Sequence, residues 1–348
     1  MTETTTGTMS WALVTRVAAR LAGTYPLEGT YHEKRLADQA PDLVRRASEL
    51  VTAETGLVTP GQPEVAVVSR AAWAEANVSS MATLIAPAQK RLGAQKGIGS
   101  SVADRVVALE LGTVLGLLSR RVLGQYELVL PTADGSPGDT VMLVGANLLA
   151  MERQHEFRPD EFRFWVALHE CTHRAQFIGV PWLREYFLSL VNELVDSAIP
   201  EPGRLARIAA EVRRASASGE PLIDDTGLFG LFASAEQRRV IDKVQALMSL
   251  LEGHGHFVMD RIGGRMLLTQ RRMSAVLRVR RQDPRTARFL RLIGLDMKLK
   301  QYDAGAAFIK AVERHTDFGT LDRAWEAPEM LPTLEEIEEP VRWLARVA

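Results

Sequence analysis

Residues 164–177 read Phe164-Trp165-Val166-Ala167-Leu168-His169-Glu170-Cys171-Thr172-His173-Arg174-Ala175-Gln176-Phe177. Within them His169, Glu170 and His173 form the pattern His-Glu-x-x-His. Residues four apart on an α-helix stand one above the other on one face, so both imidazoles can grip one Zn2+ while Glu170 reaches a water beside the metal. The flanks predict the helix this requires. Arg158-Pro159-Asp160-Glu161 places proline near the first turn and acids at the positive end of the helix dipole. Trp165, Val166 and Leu168 before the pattern, and Ala175, Phe177 and Ile178 after it, supply apolar surface to bury, and Gly179-Val180-Pro181 ends the helix. With seven His in 348 residues, an accidental match arises with a probability of roughly one per cent. The first expectation is a zinc hydrolase, with peptidases the leading class; the bland alternative is a pair of satisfied core histidines.

Composition sets the frame. Charged residues make up 24%, apolar ones 46%, and the formal net charge is −1, an ordinary globular balance that points to no nucleic-acid or membrane partner. No apolar run reaches the roughly 18 residues of a membrane span, and Met1 to Thr8 lacks the basic and apolar regions of a signal peptide, so a cytoplasmic protein is expected. The single cysteine, Cys171, allows neither an intrachain disulfide nor a Cys-based zinc site. It lies about 100° or more around the helix from the histidines and is read as a small core residue.

Elsewhere the periodicity predicts a mainly α chain with a small β-sheet. Helical spacing covers 10–22, 36–54, 70–92 and 102–118; after residue 158 it recurs at 159–178, 181–198, 203–216, 235–262, 264–281, 285–300, 302–314 and 333–346. Strand-like runs occupy 65–69, 126–130 and 140–144, the last two separated by turn formers from Pro131 to Asp139. The expected organisation is a disordered stretch at 1–9, a helical region with the small sheet at 10–157, and a helical region carrying the metal site at 158–348, together one compact unit. Between Arg261 and Arg291 ten arginines face one acid, Asp283, with Phe289 the sole aromatic. That scarcity of aromatics favours a solvated, salt-bridged face over a nucleic-acid surface.

A catalytic zinc normally takes three protein ligands and keeps one position open. A third histidine six residues after His173, with glycine at three, would define one major class; Gln176 and Gly179 stand there and exclude it. The remaining donors concentrate in Glu252-Gly253-His254-Gly255-His256, on a helix announced by the capping-box form Ser234-Ala-Glu-Gln237. Glu252 and His256, four apart, share a face, and His254 is turned about 160° from each. Glu252 is assigned as third ligand and His256 as its supporting neighbour. His254 is the rival ligand. Gly253 and Gly255 cost about 1 kcal/mol each relative to Ala inside a helix, and close packing against the metal helix would account for both.

Taken together, Trp11 with Val17-Ala-Ala-Arg-Leu-Ala22, Pro41-Asp-Leu-Val44, Val67-Val-Ser-Arg70 with Trp73 and Asn77, the His169–His173 pattern, Ser249-Leu-Leu-Glu-Gly-His254, Val258-Met-Asp260, Lys300-Gln-Tyr302 and Leu331-Pro-Thr-Leu-Glu-Glu336 resemble a known family. It is the zincin-like hydrolases, zinc-dependent metalloproteases often labelled coenzyme F420 biosynthesis-associated proteins of actinobacteria. The resemblance spans nearly the whole chain. It implies a zincin-like metal site on a mostly helical fold, His169 and His173 as ligands, Glu170 as base, and a segment Glu252-Gly253-His254 similar to the second, carboxylate-bearing helix of gluzincins. Gly255 and His256 depart from the family's usual residues there. No five-deazaflavin-binding signature is visible.

The expected cofactor is therefore Zn2+ and the expected partner a peptide or protein substrate, with no membrane or nucleic acid. Glu170 takes a proton from the attacking water and passes it to the leaving amine. Tyr302 is the first choice for steadying the oxyanion, ahead of His254 and Tyr186. The competing readings are a zincin-fold binding or scaffold protein without significant hydrolysis, and a helical nucleic-acid binder using 261–291.

Overall fold

The computed structural model describes residues 10–93, 100–132, 135, 138–197, 235–281 and 297–348. The expected helix at 203–216, most of that at 285–300 and the N-terminal stretch 1–9 fall outside them. Two compact units are present, the first formed by Met1–Arg184 with Gly255–Leu277 and the second by Glu185–His254 with Arg278–Ala348.

The first unit runs α1 (Trp11–Ala22), α2 (Tyr31–Thr55), β1 (Glu64–Val68), α3 (Arg70–Gly93), α4 (Ser100–Leu118), β2 (Gly124–Glu127), β3 (Thr140–Val144), α5 (Gly145–His155) and α6 (Pro159–Gly179). Next come α7 (Leu183–Ser197), α8 (Ala235–Met266) and α9 (Gln270–Arg281), and the chain closes with α10 (Met297–His315), two short 3-10 turns, α11 (Leu334–Glu338) and α12 (Pro340–Val347). The mainly α architecture with a small sheet is as the sequence predicts. No helix among the described residues is long and apolar enough to cross a membrane.

The sheet has the order β1-β3-β2, with β1 parallel and β2 antiparallel to β3. Every residue of β3 is buried, as the unbroken run Val141-Met-Leu-Val144 requires of a central strand. β2 is the edge strand, and it begins and ends earlier than the 126–130 that its apolar residues suggest. The Glu127 carboxylate accepts the N–H groups of Val129 (2.7 Å) and Leu130 (3.1 Å), which takes these donors out of the ladder. The Val144 N–H donates to the Leu123 carbonyl at 2.9 Å, so in this register Gln125 and Met142 form the next exchanging pair. Gly124 and Tyr126 consequently turn their N–H and C=O groups to the outer edge of the sheet, where no further strand pairs among the described residues. Side chains alternate about the strand: Tyr126 stacks on Phe177 of α6, whereas Gln125 and Glu127 meet Asn77 and Ser80 of α3.

α1 lies close against α4, where a Cβ on Gly112 or Gly116 would come within 2.8 Å of the Val14 carbonyl or 2.7 Å of the Ala18 carbonyl. Val14, Ala18, Trp73, Ala74, Val78, Ala108, Leu115 and Val144 form a shared core there. α5 escapes sequence reading because it starts directly from β3 with no side-chain cap. Its Asn147 accepts from Arg70 (2.7 Å) and donates to the carbonyls of Ser119 (2.7 Å) and Val122 (2.6 Å), a buried tie among three segments.

In the second unit α10 crosses α8 at glycines. A Cβ on Gly305 would collide with the Ser249 carbonyl, and one on Gly253 with the Gly305 backbone. Replacing Gly305 with Ala should therefore destabilise this unit by about 1–3 kcal/mol through overpacking against backbone that cannot yield. Urea unfolding measures it, and an unchanged midpoint would contradict the contact. α10 is continuous through 300–302, where the sequence suggests a break. The predicted helix 333–346 is instead two: Glu339, before Pro340, sits at φ −123 and ψ 77, outside the helical region, as proline imposes on its predecessor. Similarly, α8 continues through Gly263-Gly264 to Met266, and α9 starts only at Gln270, six residues later than expected. Trp343 packs on Phe308 at 5.3 Å between ring centres and donates its indole N–H to the Met330 carbonyl at 2.8 Å.

Candidate metal centre

Buried on almost every side, α6 is held at both ends by arginines. Arg163 forms a two-point ion pair with Glu152 of α5 (2.7 and 2.8 Å) and donates to Gln39. Arg174, 1% exposed, pairs with Asp139 at 2.8 Å and donates to Thr59 and to the carbonyls of Pro60 and Gly61. Buried charges with each guanidinium nitrogen hydrogen-bonded fix one helix register, because any slip leaves a charge without its partner. Cys171 is buried, as expected of a core residue, and burial pushes its thiol up to about 12, which keeps it protonated and unreactive.

On the half-buried face of α6 the rings of His169 and His173 stand 4.5 Å apart, nearly perpendicular, with their Nε2 atoms separated by 3.1 Å. Two imidazole nitrogens sharing one zinc at tetrahedral geometry need a separation of about 3.3 Å. Gln176 Oε1 lies 2.9 Å from His173 Nδ1. A side-chain carbonyl only accepts, so Nδ1 carries the proton and the Nε2 lone pair is left for a metal. Gln176 is thus a site residue that sequence reading used only to exclude a ligand pattern. A signal existed, since it lies three residues from His173 on the same helix.

Gly255 lies on α8. A Cβ on Gly255 would sit 3.0 Å from His169 Cε1 and Nδ1 and 3.4 Å from His173 Cε1, so this glycine lets the helix backbone lie against both imidazoles. The close-packing explanation holds for Gly255. It is corrected for Gly253, which faces Gly305 of α10. One turn from Gly255 on this helix is Glu252, and ligand atoms of His169, His173 and Glu252 all lie within 4.8 Å of one another. Two imidazoles and a carboxylate make a donor set that suits zinc. His256 approaches His169 edge to face at 4.9 Å, while His254 is 1% exposed and packs at 5.4 Å from Trp325 and 6.1 Å from Phe318. The two histidines accordingly occupy opposite sides of α8, as their spacing predicts.

Glu170, 5% exposed, meets the sheet. A Cβ on Gly124 would stand 2.8 Å from its Cγ and Oε1, so glycine at the start of β2 makes room for the carboxylate beside the free strand edge. Sequence reading missed Gly124, because nothing local marks it; only α6 folding onto the sheet gives it a role.

Tyr302 belongs to α10, and its side chain lies outside the described residues. Tyr186, on the second unit's part of α7, is half-buried, and burial raises its phenol, with Glu193 and Glu329 adding to the effect. Of the ten arginines in 261–291, Arg261 and Arg265 pair with Glu54, and Arg272 donates to the His155 carbonyl at 2.6 Å.

The mostly helical chain with its three-stranded sheet carries on α6 the His-Glu-x-x-His pattern of the zincin class. The zincin-like metallopeptidase family matches residues 9–344, and the chain belongs to that family. A protein from Chloroflexus aurantiacus, described provisionally as a hydrolase with a novel fold, has a crystal structure similar to this one. The TM-score is 0.72 at 28% identity, covering 97% of this chain and 98% of that one. No curated protein matches the chain significantly.

Proposed function

We propose that this protein hydrolyses a peptide or amide bond, with zinc held by His169, His173 and Glu252 and with Glu170 as general base. The observation that carries the reading is the convergence of those three donors within 4.8 Å. Zinc bound there supplies a Lewis acid that polarises the scissile carbonyl and acidifies water. His169 and His173 present Nε2, with Gln176 fixing the tautomer of His173. Glu170 accepts the proton of the attacking water at its carboxylate and returns it to the leaving nitrogen. The outward N–H and C=O groups of Gly124 and Tyr126 can pair with an extended substrate, which brings its backbone past Glu170. His256 would steady the His169 ring.

The test is digestion of a peptide library by zinc-loaded protein. Cleavage abolished by a chelator and restored by zinc supports the reading; stoichiometric zinc without cleavage of any peptide would favour a binding or scaffold role. A second variant probes the sheet contact. Gly124→Ala pushes a methyl group into the Glu170 carboxylate, and kcat/KM should fall by about 10²-fold with little change in zinc content. Retained activity would separate Gly124 from the reaction.

A further inference from the structure

The face of β2 turned away from Glu170 carries a set of side-chain amides that neither the metal nor the general base uses. Asn77 of α3 donates through Nδ2 to the Trp73 carbonyl (2.9 Å) and to Gln125 Oε1 (3.1 Å). Gln125 in turn donates through Nε2 to Glu127 Oε2 at 3.1 Å. Both ends of this chain only accept, so the orientation of each amide is fixed. Glu127 also accepts from Ser80 Oγ (3.1 Å) and from the N–H groups of Val129 and Leu130. Among the described residues, the Asn77 carbonyl oxygen and the second Nε2–H of Gln125 have no partner, and both residues are half-buried rather than sealed.

Residues directly opposite one another on neighbouring strands project to the same face. In a peptide paired with the free edge of β2, the residue opposite Gly124 projects toward α6 and Glu170. Its neighbour, opposite Gln125, projects toward α3, beside one unused acceptor and one unused donor. A carboxamide offers a matching donor and acceptor. A carboxylate has no proton for the Asn77 oxygen and meets the charge of Glu127. An aliphatic side chain leaves both amides unpaired, the situation that polar sites discriminate against most strongly.

We propose that Asn77 and Gln125 form a specificity subsite that selects an asparagine or glutamine side chain in the substrate residue opposite Gln125, next to the residue that passes Glu170. The inference rests on the peptidase reading and names its substrate class.

A positional-scanning library first locates cleavage. Peptides identical except for Asn, Asp or Leu at the position of strongest selection are then compared by kcat/KM. Wild-type protein should favour Asn over both isosteric Asp and Leu by about ten-fold or more. Asn77→Ala and Gln125→Met remove the two amides independently, and each should bring the Asn-to-Leu ratio down to about unity. Circular dichroism checks that each variant is folded, and the use of two variants guards against loss of either. Cleavage with no preference for Asn or Gln at any position overturns the subsite and leaves the peptidase reading standing, as does a ratio unchanged in both variants. Absence of all cleavage by zinc-loaded protein overturns the peptidase reading, and the subsite with it.

Discussion

Glu170→Gln should lower kcat by about 10²–10⁴-fold while bound zinc stays at the wild-type level. The amide has nearly the volume of the carboxylate, so it fits the space beside Gly124 and retains the packing of α6. What it loses is basicity, because an amide oxygen cannot hold the proton between attack and departure of the leaving group. The change should fall on kcat and kcat/KM alike, as for an interaction made only in the transition state. Metal analysis alongside single-substrate kinetics checks the result. A rate within a few-fold of wild type would remove Glu170 from the reaction.

His169→Ala or His173→Ala should abolish stoichiometric zinc. Each removes one of the three donors that lie within 4.8 Å of one another among the described residues, and a two-donor remnant holds zinc poorly against buffer and water. The effect should also appear as lost linkage. Wild-type protein in zinc at 1,000 times its Kd gains about 4 kcal/mol, and the variants should show no zinc-dependent rise in Tm. Zinc-dependent melting that survives both changes would place the ion elsewhere.

The fold was legible where one signal sufficed. Pro159, Asp160 and Glu161 announced α6, Gly56 marked the end of α2 in a left-handed turn at φ 71, and the apolar run of β3 announced a strand buried on both faces. Errors arose where two signals competed. α5 follows β3 without a cap, β2 is shifted because Glu127 captures two backbone donors, and the C-terminal helix is divided by the conformational demand that Pro340 makes on Glu339.

Of the site, the sequence by itself determined the parts that share one helix. His169, Glu170 and His173 are related by helical periodicity alone, and the same periodicity placed Glu252 and His256 on one side of α8 and His254 on the other. The tertiary structure decided which helix each glycine faces, that Gln176 orients His173, that Gly124 accommodates Glu170, and that Asn77 meets Gln125 across 48 positions of chain. Spacing within a helix is fixed by backbone geometry and can be read locally. Contacts between elements depend on how their surfaces pack, and no short stretch of sequence carries that information.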